Sequence, residues 1–156
     1  MKHFNPLLLA LAALPLLPAA SFARDDSAPE WKTIIGIEQA GNVVDGVTGG
    51  GQPWSTLGGT ASVDLRTGEV EFEVHGLVLA GGNSIGTRGG VATVAGTVVC
   101  GVGVSVATPA VPLSAQGDAE FDGIVAIPPG CTSSNIALLL TAANGQWIAN
   151  ASVRRP

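Results

Sequence analysis

The chain has no tyrosine, a single methionine and two cysteines in 156 residues, and only 12% of those residues carry charge. Each scarcity closes off a class of function. Seven lysines and arginines against twelve carboxylates leave no basic footprint for nucleic acid or for an anionic membrane surface. Two cysteines and a distant histidine are too few ligands for a tetrahedral zinc site. The lack of tyrosine and the general shortage of aromatic rings speak against the lined subsites of a glycoside hydrolase. Beyond residue 23 no long apolar run recurs, so there is no further candidate for a membrane-spanning helix.

What is present begins with MKHFNPLLLALAALPLLPAASFA (1–23). A lysine ahead of a leucine-rich run, with Ser21 and Ala23 as the small residues at −3 and −1, is the layout of a secretory signal peptide. Pro15 and Pro18 break the run, so cleavage after Ala23 is expected rather than an anchor. The product is then secreted or periplasmic, with no membrane insertion, a loose polar segment at 24–30 and a single domain over 31–156. It keeps all twelve carboxylates and loses Lys2, leaving six basic residues and a net charge of −6. An even cysteine count in an exported chain favours one disulfide, between Cys100 and Cys131.

After residue 23 the chain holds 17 Val and 8 Ile against 8 Leu, together with all 22 glycines. β-Branched residues suit a pleated, half-buried surface, and frequent glycine breaks helices. Short apolar runs between Gly, Pro and Asn punctuation predict an all-β fold, an antiparallel β-sandwich or flattened barrel of about 8–10 short strands. Strands are expected near 32–38, 42–47, 59–65, 69–79, 91–100, 102–107, 111–115, 119–127, 135–142 and 146–153. Asn144-Gly145 is the strongest local hairpin signal. Two glycine-rich loops, TGGGQPWSTLGG (48–59) and GGNSIGTRGG (81–90), stand between strands.

Two hairpins admit a register from sequence alone. A turn at Arg66-Thr67-Gly68 would set Leu65 opposite Val70, Val63 opposite Phe72 and Ala61 opposite Val74, with every inward pair apolar. The same register sets Asp64 opposite Glu71 and Ser62 opposite Glu73. A second turn at Gln116-Gly117-Asp118 would pair 111–115 with 119–125, Leu113 facing Phe121, and put Glu120 and Asp122 on its outer face.

The alternating carboxylates of EVEFEVHGL (69–77) admit two readings. Side chains two apart on a strand lie about 6.5–7 Å from each other, so a solvated outer face accounts for them. The competing reading is a weak divalent-cation site: calcium would draw on Asp64, Glu71 and Glu73, completed by waters or loop carbonyls, and His75 is the ligand a zinc ion would want. His75 is the one histidine beyond the leader and has no evident nucleophile. GNSIG (82–86) matches G-x-S-x-G but lies in loop and strand, not on the strand-to-helix turn that motif requires. Trp54, Asn83 and Arg88, on the two glycine-rich loops, are candidate ligand contacts, Trp54 reading first as a lid on the core and second as a ligand contact.

HGLVLAGGNSIGT, VAGTVVC, TPAVPLSAQGDAEFDG and GQWIANASVR together resemble a group of small exported bacterial proteins of uncharacterised function. That resemblance implies export, the disulfide and a β-sandwich. The GTASVDLRTGEVEFEVHGL hairpin is also similar to the opening of CHRD domains, which are secreted β modules. The expectation is a non-catalytic, cofactor-free binding or structural module with a protein or glycan partner. The alternatives are a calcium-stabilised adhesion or carbohydrate-binding module and, behind it, a small secreted hydrolase.

Overall fold

The structure is a computed structural model that describes residues 27–155, so the expected signal peptide lies outside the described residues. Thirteen strands and no helix account for its regular structure. One large sheet carries the fold. It is built from β1 (Glu30–Gly36), β5 (Gly58–Val63), β6 (Glu69–His75), β8 (Thr93–Val99), β9 (Ser105–Ala107), β10 (Val111–Pro112), β11 (Ala119–Ile124), β12 (Ala137–Ala142) and β13 (Trp147–Arg154). The order across it is β10-β8-β12-β13-β1-β5-β6-β11, all antiparallel, and β9 shares the outer edge of β8 with β10. Two short ribbons complete the count: β2 (Val43–Val44) with β3 (Val47–Thr48), and β4 (Trp54–Ser55) with β7 (Val78–Leu79).

The sheet curls on itself as a half-barrel. Val70, Phe72 and Val74 of β6 point inward at no more than 1% exposure, while Glu69, Glu71, Glu73 and His75 point out. On the far side Val94 and Val98 of β8 face the same interior. Four strands separate β6 from β8 within the sheet, yet the Phe72 ring lies so close to Gly96 that a Cβ there would meet it at 3.0 Å. Only a rolled sheet brings those two strands together. β8 and β12 are buried on both faces, and the Thr97 and Thr141 hydroxyls satisfy one another at 2.9 Å.

The disulfide links Cys100, just after β8, to Cys131 in the loop before β12. Arg154 at the end of β13 clasps the same loop. Its guanidinium donates to the carbonyls of Ser133 and Ile136 and lies over the Trp31 ring, 5.2 Å from its centroid.

The all-β class, the disulfide and the Asn144-Gly145 hairpin agree with the sequence reading, and the flattened barrel is the form the sheet takes. Several details differ. The first hairpin keeps the expected faces but is shifted by two residues, so Val63 pairs with Val70, Ala61 with Phe72 and Ser62 with Glu71. The reason lies in the turn. Asp64 accepts from the Arg66 and Thr67 backbone N–H groups, and the Gly68 N–H closes onto the Asp64 carbonyl, so the loop begins one residue earlier. Asp64 therefore faces Glu69, to whose carbonyl its N–H donates, and not Glu71.

The second expected hairpin does not form a ladder. β10 pairs with β8 and β11 with β6, at opposite edges of the sheet, and only the tight 114–118 turn joins them. Pro112 has no N–H to offer a partner strand, whereas β6 offers seven residues and sets Phe72 against Phe121, ring centroids 5.9 Å apart. Expected strand 42–47 is two strands, because Asp45 and Gly46 both take positive φ in a two-residue turn. Expected strand 69–79 breaks at Gly76, at φ 62°. Residues 27–29, expected to be loose, are held: the Ser27 and Pro29 carbonyls accept from Leu65 and Val63.

Two measurements check this architecture. Gly96→Ala is expected to cost about 1–3 kcal/mol by overpacking. Adding Phe72→Leu should recover part of that loss, so that the double-mutant cycle departs from additivity by more than about 0.5 kcal/mol. Additive costs would show that β6 and β8 do not meet. Replacing both cysteines by serine closes no loop of 31 residues and should lower the unfolding free energy by about 3.5 kcal/mol in denaturant titration.

Candidate functional site

Two surfaces gather the polar side chains singled out in the sequence, and they differ in kind. The first is the outer face of β6 and β11. Here the register sets Glu71 directly opposite Asp122 and Glu73 directly opposite Glu120. Side chains so placed have Cβ atoms about 4.5–5.5 Å apart, and like charges there destabilise the pair. On the other flank β5 contributes only hydroxyls, Ser62 against Glu71 and Thr60 against Glu73. The like-charge contact expected between Asp64 and Glu71 is thus replaced by two such contacts with β11.

Asp64, Glu71, Glu73 and His75, the candidate metal ligands, are not gathered into one site, although Glu73 and His75 meet. Asp64 sits at one end of β6, its carboxylate engaged by the turn and 3.6 Å from the Arg66 guanidinium. His75 sits at the other end, opposite Gly58. Among the described residues no group of three or more His, Cys, Asp or Glu side chains is arranged to hold a metal ion.

His75 instead ties the end of β6 to the 114–118 turn. Its Nε2 is 3.1 Å from Glu73 and its Nδ1 is 3.7 Å from Asp118. Asp118 also accepts from the Gly76 N–H, and its other oxygen is 3.4 Å from the Ser114 hydroxyl.

The second surface is a groove of about 430 Å³ between the two glycine-rich loops, walled on a third side by the 142–146 turn. Trp54, Asn83 and Arg88, singled out separately in the sequence, all line it. Trp54 forms part of its floor. The Trp54 N–H donates to the Ile37 carbonyl at 2.8 Å and the residue pairs with Leu79, so backbone bonds on both flanks fix its position. The residue is 95% buried, with 5% exposed. Its indole N–H, however, has no acceptor among the described residues and is not sealed from solvent. A Cβ on Gly50, which lines the groove, would lie 3.8 Å from that nitrogen. The Trp147 indole, by contrast, donates to the Asn42 carbonyl at 3.0 Å. Trp54 is therefore a lid by its ring and a donor by its edge.

Gln52, Asn83, Asn144 and Gln146 line the same groove. The last two bond each other across the turn, Asn144 Nδ2 to Gln146 Oε1 at 2.8 Å. Arg88 is half-buried and spends one guanidinium N–H on the Val91 carbonyl at 2.7 Å. The side chains of the third wall were missed by sequence reasoning, although Asn144-Gly145 was read as a turn, because nothing local places that turn beside residues 50–54. Ser84, the serine of GNSIG, lines this groove while His75 lines a different one beside Pro112 and Asp118.

Comparison of the chain with protein-family models, with curated proteins and with solved structures found no significant match.

The acidic face yields a direct test. Asp122→Lys turns a like-charge cross-strand pair into an opposite-charge one and should raise stability by about 0.5–1 kcal/mol at low salt, the gain shrinking at high ionic strength. A loss of stability instead, accompanied by a calcium-dependent melting temperature in the unchanged chain, would show that the face holds a cation.

Proposed function

We propose that the chain is an exported, non-catalytic binding module of the cell envelope or extracellular space, with the groove between loops 48–59 and 81–90 as its ligand site. The observation that carries this reading is the Trp54 indole N–H, an unpartnered donor on a 95%-buried residue that opens onto the groove beside Gly50. That nitrogen is open to solvent on the groove side, so a ligand oxygen can take the place of water as its acceptor. The volume of about 430 Å³ falls within the range of about 300–1,000 Å³ usual for small-ligand sites. Export is supported by the leader-like sequence at 1–23 and by a disulfide suited to an oxidising compartment. A non-catalytic role is supported by the placement of Ser84 and His75 on different surfaces.

Gly51 and Gly90 provide the test. Both line the groove, neither has a positive φ, and a Cβ on either meets nothing within 4 Å. Gly51→Trp and Gly90→Trp should each fill the groove while changing stability by no more than about 0.5 kcal/mol. Retention of the unchanged chain on panels of immobilised oligosaccharides and peptides, and its loss in both variants, is the expected result. Retention that survives both substitutions would remove the groove as the site.

A further inference from the structure

Resting on that reading, we infer that the groove takes a carboxylated sugar, with the Arg88 guanidinium as its anion anchor and the Trp54 indole N–H and neighbouring carboxamides as its hydroxyl contacts. Three observations converge on this ligand class.

The first is electrostatic. The chain carries twelve carboxylates against seven basic side chains, and no carboxylate lines this groove. Arg66 and Arg155 each lie within 4 Å of an acid. Arg88 has no ion-pair partner among the described residues, and its guanidinium's one bond inside the protein goes to a backbone carbonyl. A half-buried guanidinium in a concave, acid-free wall is thus a charge-assisted donor matched in geometry to a carboxylate.

The second is the pairing chemistry of the rest of the lining. Gln52 and Asn83 make no side-chain hydrogen bond within the described residues. Each carboxamide offers both a donor and an acceptor, which is what a hydroxyl requires. The glycines at 50, 51, 89 and 90 keep the walls free of side chains, so a ring bearing several hydroxyls can come close to the backbone.

The third weighs against a peptide. An extended peptide binds by adding a strand to an open sheet edge. β4, the strand nearest the groove, has no open edge: Trp54 is bonded to Ile37 on one side and paired with Leu79 on the other. Nor does the groove offer separate apolar pockets for alternate side chains, since Leu79 and Ile148 serve as its floor.

The test is a titration of the ¹⁵N-labelled protein, following the Trp54 indole resonance, assigned by its loss in Trp54→Phe. The probes are trimers of galacturonate, glucuronate and mannuronate, the methyl ester of each, and an acidic pentapeptide. At least one free acid should shift the Trp54 indole signal and bind at least tenfold more tightly than its uncharged ester. Arg88→Gln should abolish that preference while Arg88→Lys retains part of it, with both variants keeping the unchanged chain's melting temperature within a few degrees. If an ester binds as well as its acid, or Arg88→Gln binds the acid undiminished, the anion assignment is overturned while the groove remains a binding site. A pentapeptide that binds more tightly than every sugar overturns the ligand class alone. If no probe moves the Trp54 signal, the carboxylated-sugar assignment falls, and the groove itself then stands or falls on the glycine substitutions above.

Discussion

The fold depends on the contact between Phe72 and Gly96. Six neighbouring strands, β8 through β6, must roll far enough for an aromatic ring on one to rest against the bare backbone of the other. A flat sheet would leave Phe72 in water, and burying such a side chain is worth about 1.5–3 kcal/mol before packing is counted. The roll has a consequence at the edges. It brings β10 and β11, the two ends of the sheet, near enough for the short 113–118 segment to bridge them. The two edges of the half-barrel are thus linked by a turn rather than by a ladder. Gly117, at φ 87° and against the Leu77 backbone, is what allows that turn to sit so close to the wall.

The magnitudes rank what holds this arrangement. Truncating a core phenylalanine costs about 3–5 kcal/mol, and the Cys100–Cys131 link is of similar size in the chain-entropy account. The two carboxylate pairs on the outer face act the other way, by a few tenths to about 1 kcal/mol each. Core burial wins easily, so β11 can lie on β6 in a register that sets Glu120 against Glu73 and Asp122 against Glu71. The register follows the inward residues, Phe121 on Phe72 and Ala119 on Val74, and the outward ones follow from it. Those charges also serve an edge strand: an acidic outer face beside the β11 edge discourages other chains from pairing there.

How much of this was legible depended on whether the deciding contact was local. The alternation in EVEFEVH separates an inner from an outer face wherever its neighbours lie, so the faces of β6 were readable and are as expected. The register of its hairpin was not, because it turned on Asp64 folding back onto two backbone N–H groups, a side-chain competition that apolar pairing ignores. Asp45-Gly46 carried a hairpin signal as strong as Asn144-Gly145 but was hidden inside a run of valines. The partner of β11 was the hardest. Chain neighbours usually pair, and only the roll of the whole sheet explains why β10 and β11 end on opposite edges. The same holds for the groove. Trp54, Asn83 and Arg88 could be named one at a time, but their common wall with Gln146 is a product of topology.

The two polar surfaces are then best understood through their different degrees of constraint. On the acidic face, the side chains are outward members of regular strands, placed by what lies beneath them, and their charges are exposed to water and to salt. In the groove, three of the donors are held by bonds made for their own position: Trp54 by Ile37 and Leu79, Arg88 by the Val91 carbonyl, Asn144 by Gln146. Such bonds cost conformational entropy that folding has already met, so a ligand arriving there finds its partners ordered. The loops that carry them are rich in glycine, yet they are tied down at several points, Gly50 to the Trp147 carbonyl, Ala80 to Pro53 and Gly86 to Leu79. Glycine in these loops therefore supplies close approach and positive φ, at Gly82, Gly86 and Gly89, rather than looseness. A surface whose charge follows from packing and a surface several of whose donors are individually fixed make different demands on sequence, and the proposed ligand site rests on the second.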